Sequence, residues 1–362
     1  MTEQLGRQRL LPLSVARLRE AGARPPPALA AKDEQARPRA RAWALTCEHA
    51  TASLVGILER AGVPTLALKG ASLARRLYGD ASLRTSNDID LLVVPEQLAQ
   101  ATAKLLGHGY RLAPSSPPSA VGLPPLHHTL EPETPGRPPI DLHWRVHWYE
   151  CAFSKALLAR SRCENDGLRR PAAPDELASL LLFYARDGFL GLRYAADIGA
   201  WWDRHGADLP SGGLEPIAAA HPELRPALTA AAIQAERLVG VPRTRVMPAS
   251  ACADRRVGLA VRLSNWAGVA EIDQRIADQV LVDLLLTPPG GRAAFARRFL
   301  MPSASSVVRY EHLPPGDRPS PRVWALIHPA KVLTRLVLGL ASLRRGAERN
   351  PLPSVASTGA GA

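Results

Sequence analysis

The sequence predicts an α+β fold, in which a small mixed β-sheet with flanking helices precedes a mostly α-helical C-terminal half. Two observations carry this prediction. Between residues 41 and 146, short apolar runs with strand character alternate with stretches of helical spacing. Beyond residue 174, helical periodicity dominates. A chain of 362 residues is long enough for one such core with a helical appendage.

The first 40 residues predict little regular structure. A short stretch at 13–22 has helical spacing, and a run rich in Pro, Ala and Arg follows it. We therefore expect residues 1–40 to form a weakly ordered lead-in. Residues 41–61 then show an apolar helical face, and Gly62 stands where a helix commonly ends with a glycine.

The central segment predicts the sheet and the helices that flank it. Apolar and β-branched runs indicate strands at 63–70, 88–94, 127–131 and 140–146. Amphipathic spacing indicates helices at 71–79 and 96–109. We expect these elements to form one core domain over residues 41–165.

The C-terminal half predicts helices and a tail. Helical spacing is found at 174–187, 192–204, 223–240, 273–287, 290–300 and 329–346. From these segments we expect a helical domain over 166–310 and a C-terminal helical extension over 311–347. Small and polar residues at 348–362 predict a disordered tail.

Composition restricts the function only weakly. The formal charge of +12 favours a polyanionic partner, since excess positive charge attracts phosphates. However, only five of the 45 basic residues are Lys, and the chain is rich in Ala, Arg, Gly and Pro, as a GC-rich genome would produce for any function. The four cysteines are scattered without a C-x-x-C pair, which argues against a zinc ribbon or a disulfide framework.

The sequence also bears on location. No segment reaches the ~18 uncharged apolar residues that a membrane span requires. The N-terminal residues contain no apolar stretch typical of a secretory signal. We therefore expect a cytoplasmic protein with no membrane span.

The chemistry is concentrated in residues 66–93. Asp88 and Asp90 are two positions apart on a predicted strand, so their side chains share one face, ~6.6–6.8 Å apart along the chain. Carboxylates this close repel each other unless a cation lies between them, and Mg²⁺ prefers such oxygen ligands. Asp141 is a third acidic position, between Ile140 and Leu142 on a later apolar strand.

A phosphate site is predicted just before this pair. Gly70 ends a strand and begins a helix, so the backbone N–H groups there can cradle a phosphate. Ser72 adds a hydroxyl donor, and Lys69 adds a positive charge. Arg84 is placed to meet a phosphate, but it could equally bind Asp80 or a loop carbonyl.

These residues resemble a known family. The segments LKG (68–70), LYGD (77–80), LR (83–84), DIDLLV (88–93) and DLHW (141–144) are similar to the uncharacterised nucleotidyltransferase family of the polymerase-β superfamily. The likeness is dense over 66–93 and 140–144, and weaker through the helical half to about residue 340. It implies that residues 41–165 form a nucleotidyltransferase core.

The resemblance implies roles for individual residues. Asp88 and Asp90 match the two metal-binding carboxylates of the superfamily, and Asp141 matches the third. Gly70 and Ser72 match a phosphate-binding turn in which Gly and Ser are usually adjacent, whereas Ala71 separates them here. The implied activity is transfer of a nucleoside monophosphate from an NTP such as ATP, an EC 2.7.7-type reaction, with Mg²⁺ or Mn²⁺ as cofactor. The acceptor could be a small molecule, a peptide or protein side chain, or an RNA end, although no RNA-binding module is recognised.

Two other functions remain open at this point. The histidines around Asp141 (His127, His128, His143 and His147) could form a metallohydrolase site within 127–147, or His143 could support the carboxylates. Alternatively, the fold could be an inactive interaction module. In the helical half, Arg193 and Asp197 are four residues apart and could pair on one helix.

Overall fold

The computed structural model describes residues 2–113, 126–150, 152–189, 191–264, 281–295 and residue 334. The predicted α+β class is confirmed, because helices surround a five-stranded mixed sheet. The strands are β1 (Leu66–Ala67), β2 (Ile89–Leu92), β3 (Tyr110–Leu112), β4 (His127–Pro132) and β5 (Ile140–His143). Their order in the sheet is β1-β2-β5-β4-β3.

Pairing between strands fixes which side chains are neighbours. Strands β2 and β5 are parallel, and the other pairs in the sheet are antiparallel. Asp90 lies opposite Asp141 across the parallel pair, and His127 lies opposite His143 between β4 and β5. The four predicted strands are found in place. Strand β3 was not predicted.

The two faces of the sheet differ in polarity. Ile89, Leu91, Ile140 and Leu142 point to one face and pack against helices α3 (Pro27–Arg60) and α5 (Leu98–Leu106). Because successive side chains of a strand alternate between faces, Asp90, Asp141 and His143 point to the other face, together with the residues opposite them on strand β4. We call this second side of the sheet the polar face. Its polar side chains are Asp88, Asp90, His127, Thr129, Asp141 and His143.

The N-terminal region departs from the predicted lead-in. Helices α1 (Thr2–Arg7) and α2 (Leu11–Glu20) precede α3, a single helix over Pro27–Arg60 that begins well before residue 41. Proline is tolerated in the first turn of a helix, where its missing N–H is not needed. Pro38 lies inside α3, where a proline removes one backbone hydrogen bond, and Leu29 near the start of α3 packs against Leu11 and Val15 of α2.

The remaining helices follow the sequence closely where they were predicted. Helices α4 (Ala71–Tyr78), α5 (Leu98–Leu106), α7 (Ala173–Arg186), α8 (Leu192–His205) and α10 (Arg225–Val239) lie at predicted positions. Helices not predicted are α6 (Phe153–Arg160), α9 (Glu215–Ala220), α11 (Arg243–Val246), α12 (Ala249–Cys252) and α13 (Arg255–Leu263). A two-stranded ribbon, β6 (Arg162–Cys163) and β7 (Arg169–Arg170), precedes α7.

Some predictions fall on residues that are not described. Of the predicted helices at 273–287 and 290–300, only residues 281–287 and 290–295 are described. Residues 281–286 and 292–295 are α-helical, and Pro289–Gly291 form a 3-10 turn between them. The helix at 329–346, apart from residue 334, and the tail at 348–362 lie outside the described residues. The division into domains stays a prediction.

Helix α7 forms the centre of the larger hydrophobic core. Its residues 175–186 are all buried, and it packs against α8 and α10. The same apolar cluster includes Leu66, Leu68 and Leu92 from the sheet region. Phe183 and Arg186 of α7 reach the polar side chains: the Lys69 ammonium lies 5.6 Å from the centroid of the Phe183 ring. Within the described residues, no helix has both the length and the apolar character needed to cross a membrane.

Candidate active site

Three carboxylates meet on the polar face. One oxygen from each of Asp88, Asp90 and Asp141 lies within 4.8 Å of the others. Asp90 is buried in β2, Asp88 immediately precedes this strand, and both Asp88 and Asp141 are half-buried. Spacing along the chain brings Asp88 and Asp90 together, whereas the parallel pairing of β2 with β5 brings in Asp141.

Asp90 has two partners, one at each oxygen. The Lys69 Nζ atom lies 2.5 Å from its Oδ2 atom, and His143 Nε2 lies 3.1 Å from its Oδ1 atom. Burial acts to raise the pKa of Asp90, but Lys69 and His143 outweigh it and hold that pKa well below its usual range. Burial acts to lower the pKa of Lys69, yet Asp90 keeps it above its ordinary value. The pair is therefore an ammonium and a carboxylate at neutral pH.

Asp141 is in a different electrostatic environment. Thr129 donates a hydrogen bond to its Oδ1 atom at 2.7 Å, and His127 Nε2 lies 3.8 Å from its Oδ2 atom. Burial and the nearby charge of Asp90 raise the pKa of Asp141. Its negative charge is thus poorly compensated by the described residues. A divalent cation would relieve this repulsion, so the three carboxylates fit a hard metal ion such as Mg²⁺.

The predicted phosphate turn lies beside the carboxylates. Gly70 has φ +88° and ψ −147°, a conformation that favours glycine, and it immediately precedes α4. A Cβ atom at Gly70 would lie 3.8 Å from the backbone oxygen of Asp88. Ser72 is half-buried in the first turn of α4, and Ser86 Oγ donates to Asp88 Oδ1 at 3.0 Å. The start of α4 and the carboxylates therefore face the same small region.

Lys69 and Arg84 have partners that the sequence did not predict. Lys69 was expected to accompany the phosphate turn, but its ammonium group binds Asp90. Arg84 is buried, and its Nε donates to Asp197 Oδ2 at 2.7 Å, so it binds neither Asp80 nor a loop carbonyl through that atom. Its two Nη atoms are also buried and make no hydrogen bond within the described residues. Contacts with phosphate by these two residues stay a prediction.

Asp197 is held by residues far away in the sequence. It accepts hydrogen bonds from Arg84 and from the Tyr78 hydroxyl, the latter at 2.8 Å. The pairing of Arg193 with Asp197 along α8 is therefore wrong: Arg193 Nη1 instead donates to the backbone oxygen of Thr85 at 2.8 Å. The packing of α8 against α4 and the following loop determined these partners, and helical spacing alone could not.

Arg9, which sequence reasoning did not single out, has a positive charge that interacts with Asp88. It lies in the turn between α1 and α2 with φ 56°, and the adjacent Gln8 accepts a hydrogen bond from the Leu192 N–H at 3.3 Å. Although its side chain is exposed overall, partial burial and the charge of Arg193 lower the pKa of Arg9, while the charge of Asp88 opposes them. Arg9 and Arg193 thus add positive charge near Asp88. No local pattern around residue 9 indicates this.

A second group of donors shares Asp141. One ligand atom from each of His127, Asp141 and His143 lies within 4.8 Å of the others. Burial and neighbouring cationic groups lower the pKa of His127 to about 3, so its imidazole is neutral at pH 7. His128, the next residue along β4, packs against Trp144 with ring centroids 4.9 Å apart and the ring planes tilted by 55°. Of the predicted histidine cluster, His127 and His143 therefore lie beside Asp141, whereas His128 packs against Trp144.

Fold and site together define a class of protein. Carboxylates on adjoining strands, next to a glycine turn at a helix N-terminus, are the arrangement that the superfamily resemblance implied for a nucleotidyltransferase. Residues 1–240 match the family of uncharacterised nucleotidyltransferases, and the chain belongs to this family. The match begins at residue 1, so helices α1 to α3 belong to the matched region. A comparison with curated proteins finds no match.

Proposed function

We propose that the protein transfers a nucleoside monophosphate from an NTP to an acceptor, with Mg²⁺ or Mn²⁺ as the metal ion. The observation that carries this proposal is the convergence of Asp88, Asp90 and Asp141 within 4.8 Å beside the Gly70 turn. Membership of a nucleotidyltransferase family supports the reaction type. The reaction breaks the bond between the α-phosphorus and the oxygen that bridges it to the β-phosphate, joins the α-phosphorus to the acceptor and releases pyrophosphate.

The carboxylates have distinct tasks in this mechanism. Asp88, Asp90 and Asp141 would hold the metal, which when bound supplies electrostatic stabilisation of the charge that develops on the phosphate oxygens. Asp90 stays ionised because Lys69 and His143 bind it. Asp141, which matches the third carboxylate of the superfamily and lies within 4.8 Å of the other two, is assigned to accept a proton from the acceptor hydroxyl.

We assign the triphosphate of the NTP to the side of the carboxylates where helix α4 begins. The N–H groups at the start of α4 and the Ser72 hydroxyl would bind phosphate oxygens, as helix N-termini commonly do. Arg9 and Arg193 supply positive charge near Asp88. These groups position the phosphates, and in phosphoryl transfer positioning and electrostatics provide most of the rate enhancement.

The acceptor stays unidentified. The net charge of +12 is consistent with a phosphate-bearing acceptor, and a small molecule, a peptide or protein and an RNA end are the classes to test. The hydrolase and inactive-module alternatives are less well supported, since the chain belongs to a transferase family and keeps its carboxylates together. A cytoplasmic location stays a prediction.

The test is labelling with α-³²P NTPs. Each NTP is incubated with the protein, Mg²⁺ or Mn²⁺, and a host lysate that is then separated into protein, RNA and small-molecule fractions. We expect label to enter one fraction with the wild type and with Asp203→Asn, an exposed carboxylate on α8. Label should be lost with Asp88→Asn or Asp141→Asn, provided that circular dichroism shows both to be folded. Equal labelling by Asp88→Asn and the wild type, or no labelling with any NTP, would overturn the proposal.

A further inference from the structure

The histidines of the polar face are brought to Asp141 by the register between strands β4 and β5. Strand β4 pairs with β5 so that His127 is opposite His143 and Thr129 is opposite Asp141. The His127 and His143 ring centroids are 4.7 Å apart. Asp141 belongs to two groups of candidate ligands: one with Asp88 and Asp90, the other with His127 and His143.

The imidazole nitrogens lack the partners that buried polar atoms normally have. Both ring nitrogens of His127 and the Nδ1 atom of His143 are buried and make no hydrogen bond within the described residues. His143 is only 1% exposed. Buried polar groups are nearly always paired, and unpaired ones call for an explanation such as an ion.

The arrangement of His143 is typical of a metal ligand. Histidines that bind metals usually donate the other ring N–H to a carboxylate, which fixes the tautomer. His143 Nε2 lies 3.1 Å from Asp90 Oδ1, so a hydrogen bond there leaves Nδ1 with a free lone pair. That Nδ1 atom is one of the unpaired nitrogens.

The donor set selects the type of ion. Two imidazole nitrogens and one carboxylate oxygen suit Zn²⁺, Co²⁺ and related transition metals, whereas Mg²⁺ prefers oxygen ligands alone. We infer that His127, Asp141 and His143 bind a divalent transition-metal ion of the zinc type, next to the three-carboxylate site and with Asp141 shared between the two. This inference concerns metal binding and does not depend on the transfer activity.

The test uses Co²⁺ as a spectroscopic substitute for Zn²⁺. Untagged full-length protein is stripped with a chelator and titrated with Co²⁺ in excess Mg²⁺, and visible absorption of the bound Co²⁺ is followed. We expect one Co²⁺ per chain, displaced by Zn²⁺ but not by Mg²⁺. His127→Ala should weaken Co²⁺ binding by about tenfold or more, since loss of even a supporting group has such an effect. His128→Ala, the neighbouring change on the same strand, should leave it unchanged.

Two further variants keep the result interpretable. His127→Gln, of similar size, replaces His127→Ala if circular dichroism shows the latter to be unfolded. Asp88→Asn should retain Co²⁺ binding, because Asp88 belongs only to the carboxylate site. The inference fails if the folded His127 variant binds Co²⁺ as tightly as the wild type, if Mg²⁺ displaces the Co²⁺, or if Asp88→Asn weakens binding as much as the His127 variant does. None of these outcomes depends on whether nucleotide transfer is observed.

Discussion

Lys69 and Asp90 form a buried ion pair in the middle of the polar face. Their side chains are 7% and 1% exposed, and the Nζ–Oδ2 distance is 2.5 Å. A buried charge that loses its partner is strongly unfavourable. In the absence of a metal ion, Lys69 is therefore the cation that keeps Asp90 ionised, and a metal bound by Asp90 must share this carboxylate with it.

Replacing Lys69 should show how much the Lys69–Asp90 ion pair contributes to the free energy of unfolding. We expect Lys69→Met to lower the free energy of unfolding by about 3–5 kcal/mol, the range for breaking a buried pair. Millimolar Mg²⁺ should restore part of the loss, because a divalent cation can compensate Asp90. Urea denaturation with and without Mg²⁺ measures both effects.

The matched control is Lys155→Met. Lys155 pairs with Glu96 on the surface, where both side chains are 61% exposed. Surface pairs contribute about 0–1 kcal/mol, so this change should have little effect. If the two variants lose the same free energy of unfolding, the buried Lys69–Asp90 pair contributes no more to stability than a surface pair, and the prediction is wrong.

His147 should make the protein sensitive to acid. Burial and Arg186 lower the pKa of His147 from 6.5 to about 3. Below about pH 6.5, the unfolded chain binds a proton at this residue and the folded chain does not. The free energy of unfolding therefore falls as the pH drops towards about 3, by about 1.4 kcal/mol per pH unit.

The prediction is tested by comparing pH profiles of stability. His147→Gln removes this titration, so its free energy of unfolding should fall less steeply between pH 6 and pH 4.5 than that of the wild type. Groups that titrate in both proteins cancel in the comparison. His49→Gln, at an exposed position on α3, controls for the loss of one histidine. Parallel profiles for wild type and His147→Gln would contradict the expectation.

At the scale of elements, the junction between β1 and α4 positions the predicted phosphate turn. Gly70 reaches its conformation, φ +88° and ψ −147°, at the point where the chain turns into α4. The Arg84–Asp197 pair then fastens the loop after α4 to α8. Both features hold the start of α4 next to the carboxylates.

Alanine at position 70 should destabilise the turn through its backbone alone. A Cβ there would meet only ordinary contacts at 3.8 Å, so the penalty comes from φ and ψ. We expect Gly70→Ala to lower the free energy of unfolding by about 1–3 kcal/mol, the range for strained backbone. Gly258→Ala, inside helix α13 with nothing within 4 Å of the new Cβ, should instead be neutral or stabilising by up to about 1 kcal/mol. Urea denaturation measures the free energy of unfolding of both variants. If Gly258→Ala destabilises the protein as Gly70→Ala does, the explanation from backbone conformation is wrong.

At the scale of the whole molecule, the N-terminal helices return to the site. Gln8 is bound to the first residue of α8, and Arg9 comes near Asp88 and Arg193. The larger apolar cluster likewise runs from β1 and β2 through α7 to α13. The site is therefore assembled from parts that are distant in the sequence.

Arg9 allows this assembly to be tested. Its guanidinium makes no hydrogen bond or ion pair that would hold the fold among the described residues, so Arg9→Ala should leave thermal stability unchanged. If the proposed function holds, the affinity for an NTP analogue should fall by about tenfold, or about 1.4 kcal/mol. Fluorescence titration with a labelled, non-hydrolysable NTP measures this change. Arg24→Ala, at an exposed position before α3, is the control, and equal affinities for the two variants would exclude a phosphate contact by Arg9.

Local sequence patterns predicted the helices and strands around the site better than they predicted which side chains pair with each other there. The predicted β2 and α4 were found because period-two and helical spacing are local properties. Strand β3 was missed because it has only three residues, of which Arg111 and Leu112 are exposed, so it shows no apolar pattern. The start of helix α3 was predicted too late because Pro38 and the proline-rich segment before it indicate a linker locally, whereas the helix begins at Pro27 and continues through Pro38.

The sequence by itself determined the family, the fold class and the shared face of Asp88 and Asp90. Alternation along a strand and motif spacing are properties of neighbouring residues, so they can be recognised without the fold. Only the tertiary structure decided that Asp141 lies beside Asp90, that Lys69 binds Asp90 and that Arg84 binds Asp197. Strand register and ion-pair partners depend on which distant segments pack together, and burial then fixes the charge of each group.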